Sequence, residues 1–314
     1  NYLYHIYIIM KNILITGGLG FIGSHICIEL LDNNYNVVII DNLSNTYKKV
    51  IDKIKFITNK SPKFYNFDLS DKNNNYKLKK IFVENDIMYV IHLAGYKSVS
   101  ESVENPLMYY DNNINSTINL LYIMKICNCF KLIFSSSATI YGKPLKLPID
   151  ENESMKPFSP YGRTKMYIEC MLEDICNSDE RWKICSLRYF NPVSCHPSGI
   201  IGENPKDIPQ NLFPFVIQLI QKKKNCLNIY GKDYDTIDGT GVRDYIHILD
   251  LANAHHVTLS HLHDGYTYYN VGTGTGYSVL EIINKCEKLE TLNMNNNKLP
   301  DIFFDNNKSF RESV

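Results

Sequence analysis

The stretch that decides the fold is GGLGFIG at residues 17–23, which lies between two apolar runs. The run before it, NILIT at 12–16, has the composition of a buried strand, and FIGSHICIELL at 21–31 has that of a helix. A second strand pattern, NVVIID, ends at Asp41. A strand, a glycine turn, a helix and a second strand in this order predict a compact βαβ unit.

The rest of the chain continues the alternation of strands and helices, and its composition then changes. Further strand-like runs lie at 63–68, 88–95, 131–137 and 183–191, and helical segments such as 106–127 and 161–176 separate them. This order predicts an α/β fold, a doubly wound parallel sheet of the Rossmann-like type. Pro- and Gly-rich loops follow, so we expect a nucleotide-binding domain at 10–190 and a smaller C-terminal substrate-binding lobe at 191–314. YYNVGTG at 268–274 is expected to return to the first domain, and residues 1–9 are set aside as an upstream extension.

The composition excludes some classes of partner. Lys plus Arg and Asp plus Glu number 33 each, so there is no net charge to attract nucleic acid or an anionic membrane. The nine cysteines form no C-x-x-C pair, which favours reduced thiols in a soluble, cytoplasmic protein. The first ten residues resemble neither a signal peptide nor a membrane span. Any anionic ligand must therefore be bound by local charges.

The glycine turn has the features of a dinucleotide site. Glycines at 17, 20 and 23 let the backbone approach a pyrophosphate at a helix N-terminus, where free N–H groups favour negative charge. Asp41 follows Gly17 by 24 residues, at the position where a carboxylate accepts hydrogen bonds from the adenosine ribose. A carboxylate would repel a 2′-phosphate, so NAD is favoured over NADP. The alternative is that Asp41 only caps the following loop.

A tyrosine and a lysine four residues apart suggest acid–base chemistry. Tyr161 and Lys165 fall on one face of a predicted helix, and an ammonium beside a phenol is expected to lower the phenol pKa. Tyr161 would then be a workable base near neutral pH. Ser137 ends a strand upstream, where its hydroxyl can relay a proton. The alternative is an ordinary amphipathic helix with Lys165 in solvent.

Several motifs together resemble one family. FSSSATIYG, SPYGRTK, RYFNPV, GENPKDIPQNLFP, DYDTIDGTGVRDYIH and NVGTGTGYSV are similar to motifs of the UDP-galactose 4-epimerase family, within the extended short-chain dehydrogenase/reductases. The likeness spans residues 11 to 285, and DYDTIDGTGVRDYIH is peculiar to this branch. It implies an isomerase of galactose metabolism that interconverts UDP-glucose and UDP-galactose through a 4-keto sugar, with NAD regenerated at each turnover.

The resemblance also implies roles for individual positions. The catalytic group would be Ser137, Tyr161 and Lys165. The NAD site would comprise Gly17, Gly20, Phe21, Ile22, Gly23, Asp41, Asn42, Asp68, Leu69, Leu93, Ala94, Gly95, Lys97, Asn112, Tyr161, Lys165 and Tyr189. The UDP-sugar would contact Ser137, Tyr161, Asn191, Asn211, Leu212, Asn228, Tyr230, Arg243 and Arg311. For Asp68 the alternative is a turn-forming aspartate, and for Arg243 it is a surface ion pair with Asp244.

Other interpretations stay open at this stage. One is a UDP-sugar 4-epimerase acting on an N-acetylhexosamine, a uronic acid or a pentose; another is a catalytically impaired NAD-binding module. The family continues after GTGTGYSV with an R-E-G-D loop, whereas this chain ends in an Asn-rich segment with Arg311, so its C-terminus is expected to be truncated or divergent. No metal site is expected from His255, His256, His261 and His263, which we expect to be solvated on a helix. A homodimer through a pair of helices is expected by analogy with such folds.

Overall fold

The computed structural model describes residues 11–206, 211–221, 223, 227–293 and 302–305. Its strands are β1 (Asn12–Thr16), β2 (Asn36–Ile40), β3 (Lys63–Tyr65), β4 (Tyr89–His92), β5 (Lys131–Ser137), β6 (Lys183–Tyr189), β7 (Asn191–Val193), β8 (Leu227–Tyr230), β9 (Val242–His247), β10 (Gly265–Val271), β11 (Gly276–Ser278) and β12 (Ile302–Asp305). Its helices are α1 (Phe21–Asp32), α2 (Val50–Thr58), α3 (Asn75–Glu84), α4 (Val99–Glu104), α5 (Pro106–Ile126), α6 (Pro160–Ser178), α7 (Leu212–Ile220), α8 (Ile248–Ser260) and α9 (Val279–Asn293).

The main sheet is parallel throughout and doubly wound. Its strand order is β10-β6-β5-β4-β1-β2-β3, which confirms the predicted α/β class. The order reverses between β1 and β4, so the crossovers leave in opposite directions and open a crevice at the carboxyl ends of these two strands. The glycine turn follows β1, and Leu93, Ala94 and Gly95 follow β4. The topology thus brings two predicted parts of the cofactor site to one edge.

Alternate side chains of the main sheet pack into two separate hydrophobic cores, one on each face of the sheet. In β1, Ile13 and Ile15 face one side with α1 and α8, while Leu14 faces the other with α3, α5 and α6. All three side chains are fully buried. A strand that is covered by helices on both faces has a continuous apolar sequence, because side chains on both of its faces are buried. This explains why NILIT and NVVII do not alternate between polar and apolar residues. The two cores hold the strands in place, and with them the carboxyl edge of the sheet where the predicted cofactor site lies.

The remaining strands build smaller units. A three-stranded sheet has the order β11-β9-β7, and β8 pairs in parallel with β12. Helices α7 and α9 pack beside β8 around an apolar cluster of Val216, Leu219, Leu227, Ile229 and Ile283. In contrast β10 pairs with β6, and α8 packs on α1. A division of the chain at 190/191 therefore remains a proposal, in which β10 and α8 rejoin the first domain.

Other features of the sequence have these outcomes. The eight cysteines within the described ranges are all free thiols, and Cys27, Cys129, Cys176 and Cys185 are buried. Within the same ranges, none of the helices combines the length and the apolar character needed to cross a bilayer. Residues 1–9 and Arg311 lie outside the described residues.

Candidate active site

A cavity of about 500 Å³ opens at the carboxyl edge of the main sheet. Its wall is formed by the glycine turn, by the segments after β2, β3 and β4, by the ends of β5 and β6, by the start of α6 and by the 200–205 loop. This volume lies within the usual range of small-molecule sites, on the order of 300–1,000 Å³. Every residue predicted for the cofactor site lines it, together with Ser137, Asn191 and Asn211.

The glycine turn leaves no room for side chains. Gly17 has φ +67°, and a Cβ there would lie 2.9 Å from the Ala94 nitrogen. A Cβ on Gly23 would overlap the carbonyl oxygen of Gly17. Gly20 is the N-cap of α1 and supplies no capping side chain, so the helix N-terminus faces the cavity uncapped by its own N-cap. This cradle fits the pyrophosphate of a dinucleotide, which would accept hydrogen bonds from those N–H groups.

Asp41 links the end of β2 to the glycine turn. One carboxylate oxygen accepts a hydrogen bond from the Leu19 nitrogen at 3.1 Å, and the other accepts one from the Leu43 nitrogen at 2.9 Å. Burial raises the pKa of Asp41, although the two backbone hydrogen bonds and Lys206 oppose this effect. The carboxylate therefore caps the next loop and also lines the cavity, where its remaining lone pairs suit a ribose diol.

Asp68 and Asn42 form a second polar pair in the cavity wall. The Asn42 side-chain amide donates to Asp68 at 3.0 Å, and the Ser70 nitrogen donates to the same carboxylate at 2.8 Å. Partial burial raises the pKa of Asp68, but the hydrogen bonds from Ser70 and Asn42 outweigh it, so the pKa lies below its ordinary value. Asp68 thus forms a turn and faces the cavity, so the two interpretations are compatible.

The structure brings Ser137, Tyr161 and Lys165 into the same cavity. Ser159 caps α6 by accepting a hydrogen bond from the Gly162 nitrogen at 3.1 Å, which starts the helix just before Tyr161. Lys165 lies one turn further, only 5% exposed. The alternative that placed Lys165 in solvent is wrong. The lysine ammonium donates instead to the Ser135 carbonyl at 2.7 Å, at the end of β5.

The hydrogen bonds of Ser137 fix the direction of its hydroxyl. Its oxygen lies 3.2 Å from the Thr139 nitrogen and 3.0 Å from the Thr139 hydroxyl, and it accepts from both. A serine oxygen has two lone pairs and one proton. Since Thr139 occupies both lone pairs, the proton of Ser137 is available to be donated, either to a ligand or to the neighbouring Tyr161 phenol.

The expected lowering of the Tyr161 pKa is not found. Burial raises this pKa to about 12, and the hydrogen bond with Ser137 lowers it only in part. The Lys165 ammonium lies 5.9 Å from the centre of the Tyr161 ring and is hydrogen-bonded to Ser135, not to the phenol. Burial also lowers the pKa of Lys165 to about 8, an effect that Glu169 opposes. Desolvation is therefore the largest influence on the pKa of both side chains.

A pH-dependent difference in stability is expected between the protein and its Lys165→Met variant. With a folded pKa near 8 and an unfolded value near 10.5, the unfolded chain binds the extra proton between these values. The free energy of unfolding of the unmodified protein should therefore rise, relative to the variant, as pH increases from 8 to 10.5. Urea titrations of both proteins across this window measure it. A difference that stays constant or shrinks would contradict the depressed pKa.

A buried charged network behind the site escaped the sequence analysis. Arg188 donates to Glu169 at 2.7 Å, with both side chains at most 3% exposed. Ser136 and Tyr266 also donate to this carboxylate, so it has partners from β5, β6 and β10. Since Glu169 lies one helical turn after Lys165, the network fixes α6 against the sheet. Its only sequence signal is a carboxylate on an otherwise apolar helix face.

The residues predicted for the UDP-sugar are only partly brought together. Asn191 lines the cavity and donates to the Asp244 carbonyl at 2.9 Å, next to Arg243 on β9. Asn211 lines the cavity and occupies the N-cap position of α7 without a side-chain capping hydrogen bond, and the first residue of that helix, Leu212, is not in the wall. Asn228, which is exposed in β8, and Arg243 lie outside the wall. The side chain of Tyr230 lies outside the described part of the chain.

Arg243 is not in the predicted alternative contact with Asp244. Its guanidinium donates to the carbonyl of Val242 at 2.6 Å, and burial lowers its pKa. Asp244 accepts hydrogen bonds from Thr273 and Gly274 instead. Within the described ranges, Arg243 has no carboxylate at ion-pair distance. A half-buried guanidinium without a carboxylate partner in the described ranges is suited to bind an anionic ligand.

Glu203 is a site residue that the sequence analysis missed. Its carboxylate accepts from Lys97 at 3.1 Å and from Asn211 at 2.8 Å, so it joins a predicted cofactor residue to a predicted substrate residue. The same loop is tied to α2, where Lys53 donates to the Ile200 carbonyl at 2.8 Å. The loop sequence GENP gave no chemical signal for this role, because it depends on contacts between segments far apart in the chain.

Among the described residues, no group of three or more side chains placed to hold a metal ion includes His255, His256, His261 or His263. The expectation that they are solvated is wrong for His255, which is fully buried. Its neighbour His256 is half-buried and lies 3.3 Å from Glu29. Helix α8 packs on α1, so one side of the helix is covered while the other stays exposed.

Comparison with known proteins identifies the class. The model of the NAD dependent epimerase/dehydratase family matches residues 13–272. The UDP-glucose 4-epimerase of Dictyostelium discoideum is 51% identical over 86% of this chain and 79% of its own length. The enzyme of the same name from Bacillus subtilis is 48% identical over 88% and 81%. The chain belongs to the NAD dependent epimerase/dehydratase family.

A solved structure supports the same assignment. UDP-glucose 4-epimerase from Bifidobacterium longum, crystallised in complex with NAD+ and UDP, superimposes with a TM-score of 0.89 at 45% identity. The match covers 94% of this chain and 86% of that one. The resemblance seen in the motifs and the predicted Rossmann-like fold are both confirmed.

Proposed function

We propose that this protein is an NAD-dependent UDP-glucose 4-epimerase, an isomerase that interconverts UDP-galactose and UDP-glucose. The observation that carries the proposal is that Ser137, Tyr161 and Lys165 line the same cavity as the glycine turn. Similarity to enzymes of that name over most of the chain supports it. The glycine cradle and Asp41 would hold the pyrophosphate and a ribose of NAD. When bound, NAD would take a hydride from the sugar C4 and return it.

The chain's own groups would handle the proton. Tyr161 would accept the proton of the sugar 4-hydroxyl, and Ser137, whose hydroxyl is free to donate, would hydrogen-bond the oxygen that gains charge. Lys165 would contribute positive charge beside the phenol while fixed on the Ser135 carbonyl. These three groups divide the work into a base, a hydrogen-bond donor and a stationary cation.

The UDP portion would be held away from the reacting carbon. Arg243 would bind the diphosphate, and Asn191, Asn211, Leu212, Asn228, Tyr230 and Arg311 would contact the nucleotide. Binding energy at the nucleotide would retain the 4-keto sugar while the hexose turns to present its other face. The cavity supports this arrangement because Asn191 lies in its wall and bonds to the strand that carries Arg243.

A direct assay tests the proposal. The purified protein is incubated with UDP-galactose, and UDP-glucose is separated by ion-exchange chromatography; the reverse reaction must approach the same equilibrium. UDP-N-acetylgalactosamine, UDP-galacturonic acid and UDP-arabinose, assayed in parallel, define the substrate range. Absence of UDP-glucose after addition of NAD would overturn the proposal. Turnover of one of the other sugars alone would replace the substrate but keep the reaction.

We further propose a cytosolic homodimer. Buried free thiols such as Cys27 and Cys185 suit a reducing compartment. Helix α5 exposes Leu107, Tyr122 and Ile126, at 81, 64 and 56%. At about 100° per residue these three positions share one face of the helix. Such a face suits burial against a second copy.

Charges on that face should break the dimer. The double variant Tyr122→Glu and Ile126→Glu is expected to sediment as a monomer, since two carboxylates would have to be desolvated in the contact. Phe56→Glu, on α2 at 73% exposure, is the matched control and should leave the dimer intact. Sedimentation equilibrium measures both. An unmodified protein that sediments as a monomer would exclude the dimer.

A further inference from the structure

A buried tyrosine–histidine contact lies directly behind the cavity. Tyr189 ends β6 and lines the cavity, while His255 lies in α8 and is fully buried. The phenol oxygen and the histidine Nε2 are 2.6 Å apart. The two ring centres are 5.5 Å apart at an interplanar angle of 58°, so the rings meet at their polar ends and do not stack. The contact joins residues 66 positions apart in the chain.

The position of each proton in this contact can be derived. Histidine Nδ1 lies 2.8 Å from the Leu251 carbonyl, which can only accept, so Nδ1 carries the hydrogen. Burial lowers the pKa of His255 to about 4, so the ring is neutral near pH 7 and Nε2 is an acceptor. The phenol of Tyr189 must therefore donate to Nε2. Its hydroxyl is directed at α8 and away from the cavity.

The same oxygen is tied to the predicted catalytic group. Burial raises the pKa of Tyr189, and an interaction with the Ser135 hydroxyl opposes this effect. The Ser135 carbonyl in turn accepts from Lys165 at 2.7 Å. Strands β5 and β6 are paired here, with Ser137 opposite Tyr189. Ser135 therefore holds Lys165 through its backbone carbonyl and contacts Tyr189 through its side chain, and Tyr189 is hydrogen-bonded to His255.

We propose that His255 is a positioning residue of the active site: by accepting the Tyr189 hydroxyl, it holds the tyrosine ring as a wall of the cofactor cavity and steadies the strand end that carries Ser135 and Ser137. This inference rests on the proposed function for its kinetic part, but the cofactor part stands on the cavity alone. The competing interpretation is that His255 only fills space between α8 and the sheet.

A double-mutant cycle distinguishes a positioning role of His255 from a role in packing alone. His255→Leu, Tyr189→Phe and the double variant are compared by the rate at which bound NAD exchanges with labelled NAD, by kcat and KM for UDP-galactose, and by Tm. His255→Leu leaves a buried donor without its partner, an effect worth on the order of tenfold in an equilibrium constant. We expect about tenfold faster NAD exchange and a similar fall in kcat, with KM within about twofold.

Three further comparisons make the result specific. In the Tyr189→Phe background, the added His255→Leu change should alter exchange and kcat by less than about twofold, because its partner is already gone. His255→Gln supplies an amide oxygen that can accept the hydroxyl and should restore most of both rates. His261→Leu removes a similar ring contact, 2.8 Å from the Val257 carbonyl, at an exposed position, and should change neither.

The outcomes are distinct. If His255→Leu lowers Tm but leaves NAD exchange unchanged, or has the same effect with and without the Tyr189 hydroxyl, His255 is a packing residue and the proposal is overturned. If His255→Leu does not fold, Tyr189→Phe alone must show the faster exchange, and its failure to do so overturns the proposal. A protein that exchanges NAD but never converts UDP-galactose would refute the proposed function, while the exchange rates would still decide the role of His255.

Discussion

Replacing Tyr161 by Phe should lower kcat for UDP-galactose by about a thousandfold, because a positioned acid–base group typically contributes 10²–10⁴ to a rate. The phenol is the group in this cavity suited to accept the 4-hydroxyl proton, and Phe keeps the ring while removing the oxygen. The structure predicts little change in folding, since Ser137 retains its two hydrogen bonds from Thr139. Product formation from UDP-galactose is measured by chromatography at saturating substrate.

The controls separate loss of chemistry from loss of the site. Tyr167→Phe changes a tyrosine on the same helix that is 47% exposed, and it should leave kcat unchanged. Bound NAD per chain and Tm should match between the two variants. Should Tyr161→Phe retain more than about a tenth of kcat, another group must accept the proton. If it loses NAD as well, the residue is needed for cofactor binding and the kinetic loss says nothing about the base.

Sequence reasoning correctly predicted which residues meet where their proximity follows from position at a strand end. The carboxyl ends of parallel strands converge on one edge, so a glycine turn after β1, a carboxylate after β2 and serines closing β5 had to meet. Gly17, Asp41 and Ser137 line one cavity for that reason. Their ligands remain proposals, but their proximity required only the strand order.

It failed where the outcome depends on which groups touch across the fold. The pKa of Tyr161 is raised because burial outweighs the Ser137 hydrogen bond and because Lys165 bonds to the Ser135 carbonyl. Neither fact is visible in a Y-x-x-x-K pattern. Glu203 was missed for the same reason: its partners Lys97 and Asn211 come from two different segments.

The largest effect on cofactor binding is expected from Gly20→Ala. Gly20 has an ordinary backbone, φ −69° and ψ 178°, and a Cβ there would meet only the Gly17 carbonyl oxygen at 3.4 Å. The folded protein therefore has space for the methyl group. A dinucleotide whose pyrophosphate lies on the start of α1 does not, since the methyl group would stand between the phosphate and the N–H groups. Losing one such charge-assisted hydrogen bond weakens binding by on the order of 10- to 100-fold.

Two other glycines separate this effect from damage to the fold. Gly265 has φ +82° with nothing within 4 Å of its Cβ position, so Gly265→Ala tests backbone strain alone. That strain is worth about 1–2 kcal/mol, which should lower Tm by a few degrees while NAD stays bound. Gly17 combines φ +67° with a Cβ position 2.9 Å from the Ala94 nitrogen, so Gly17→Ala should fail to fold stably.

The NAD content and Tm of the three variants together test whether the dinucleotide binds at this turn, because a turn that is only sensitive to substitution would give a different combination of the two values. NAD content after gel filtration and Tm are measured on each protein. A turn that is only structural predicts that NAD content falls in step with Tm, so that Gly20→Ala, which has room for its methyl group, would keep its cofactor. If the pyrophosphate lies on this turn, Gly20→Ala loses NAD at nearly unchanged Tm, whereas Gly265→Ala loses Tm and keeps NAD. Gly20→Ala protein with a full complement of NAD would place the cofactor elsewhere in the cavity.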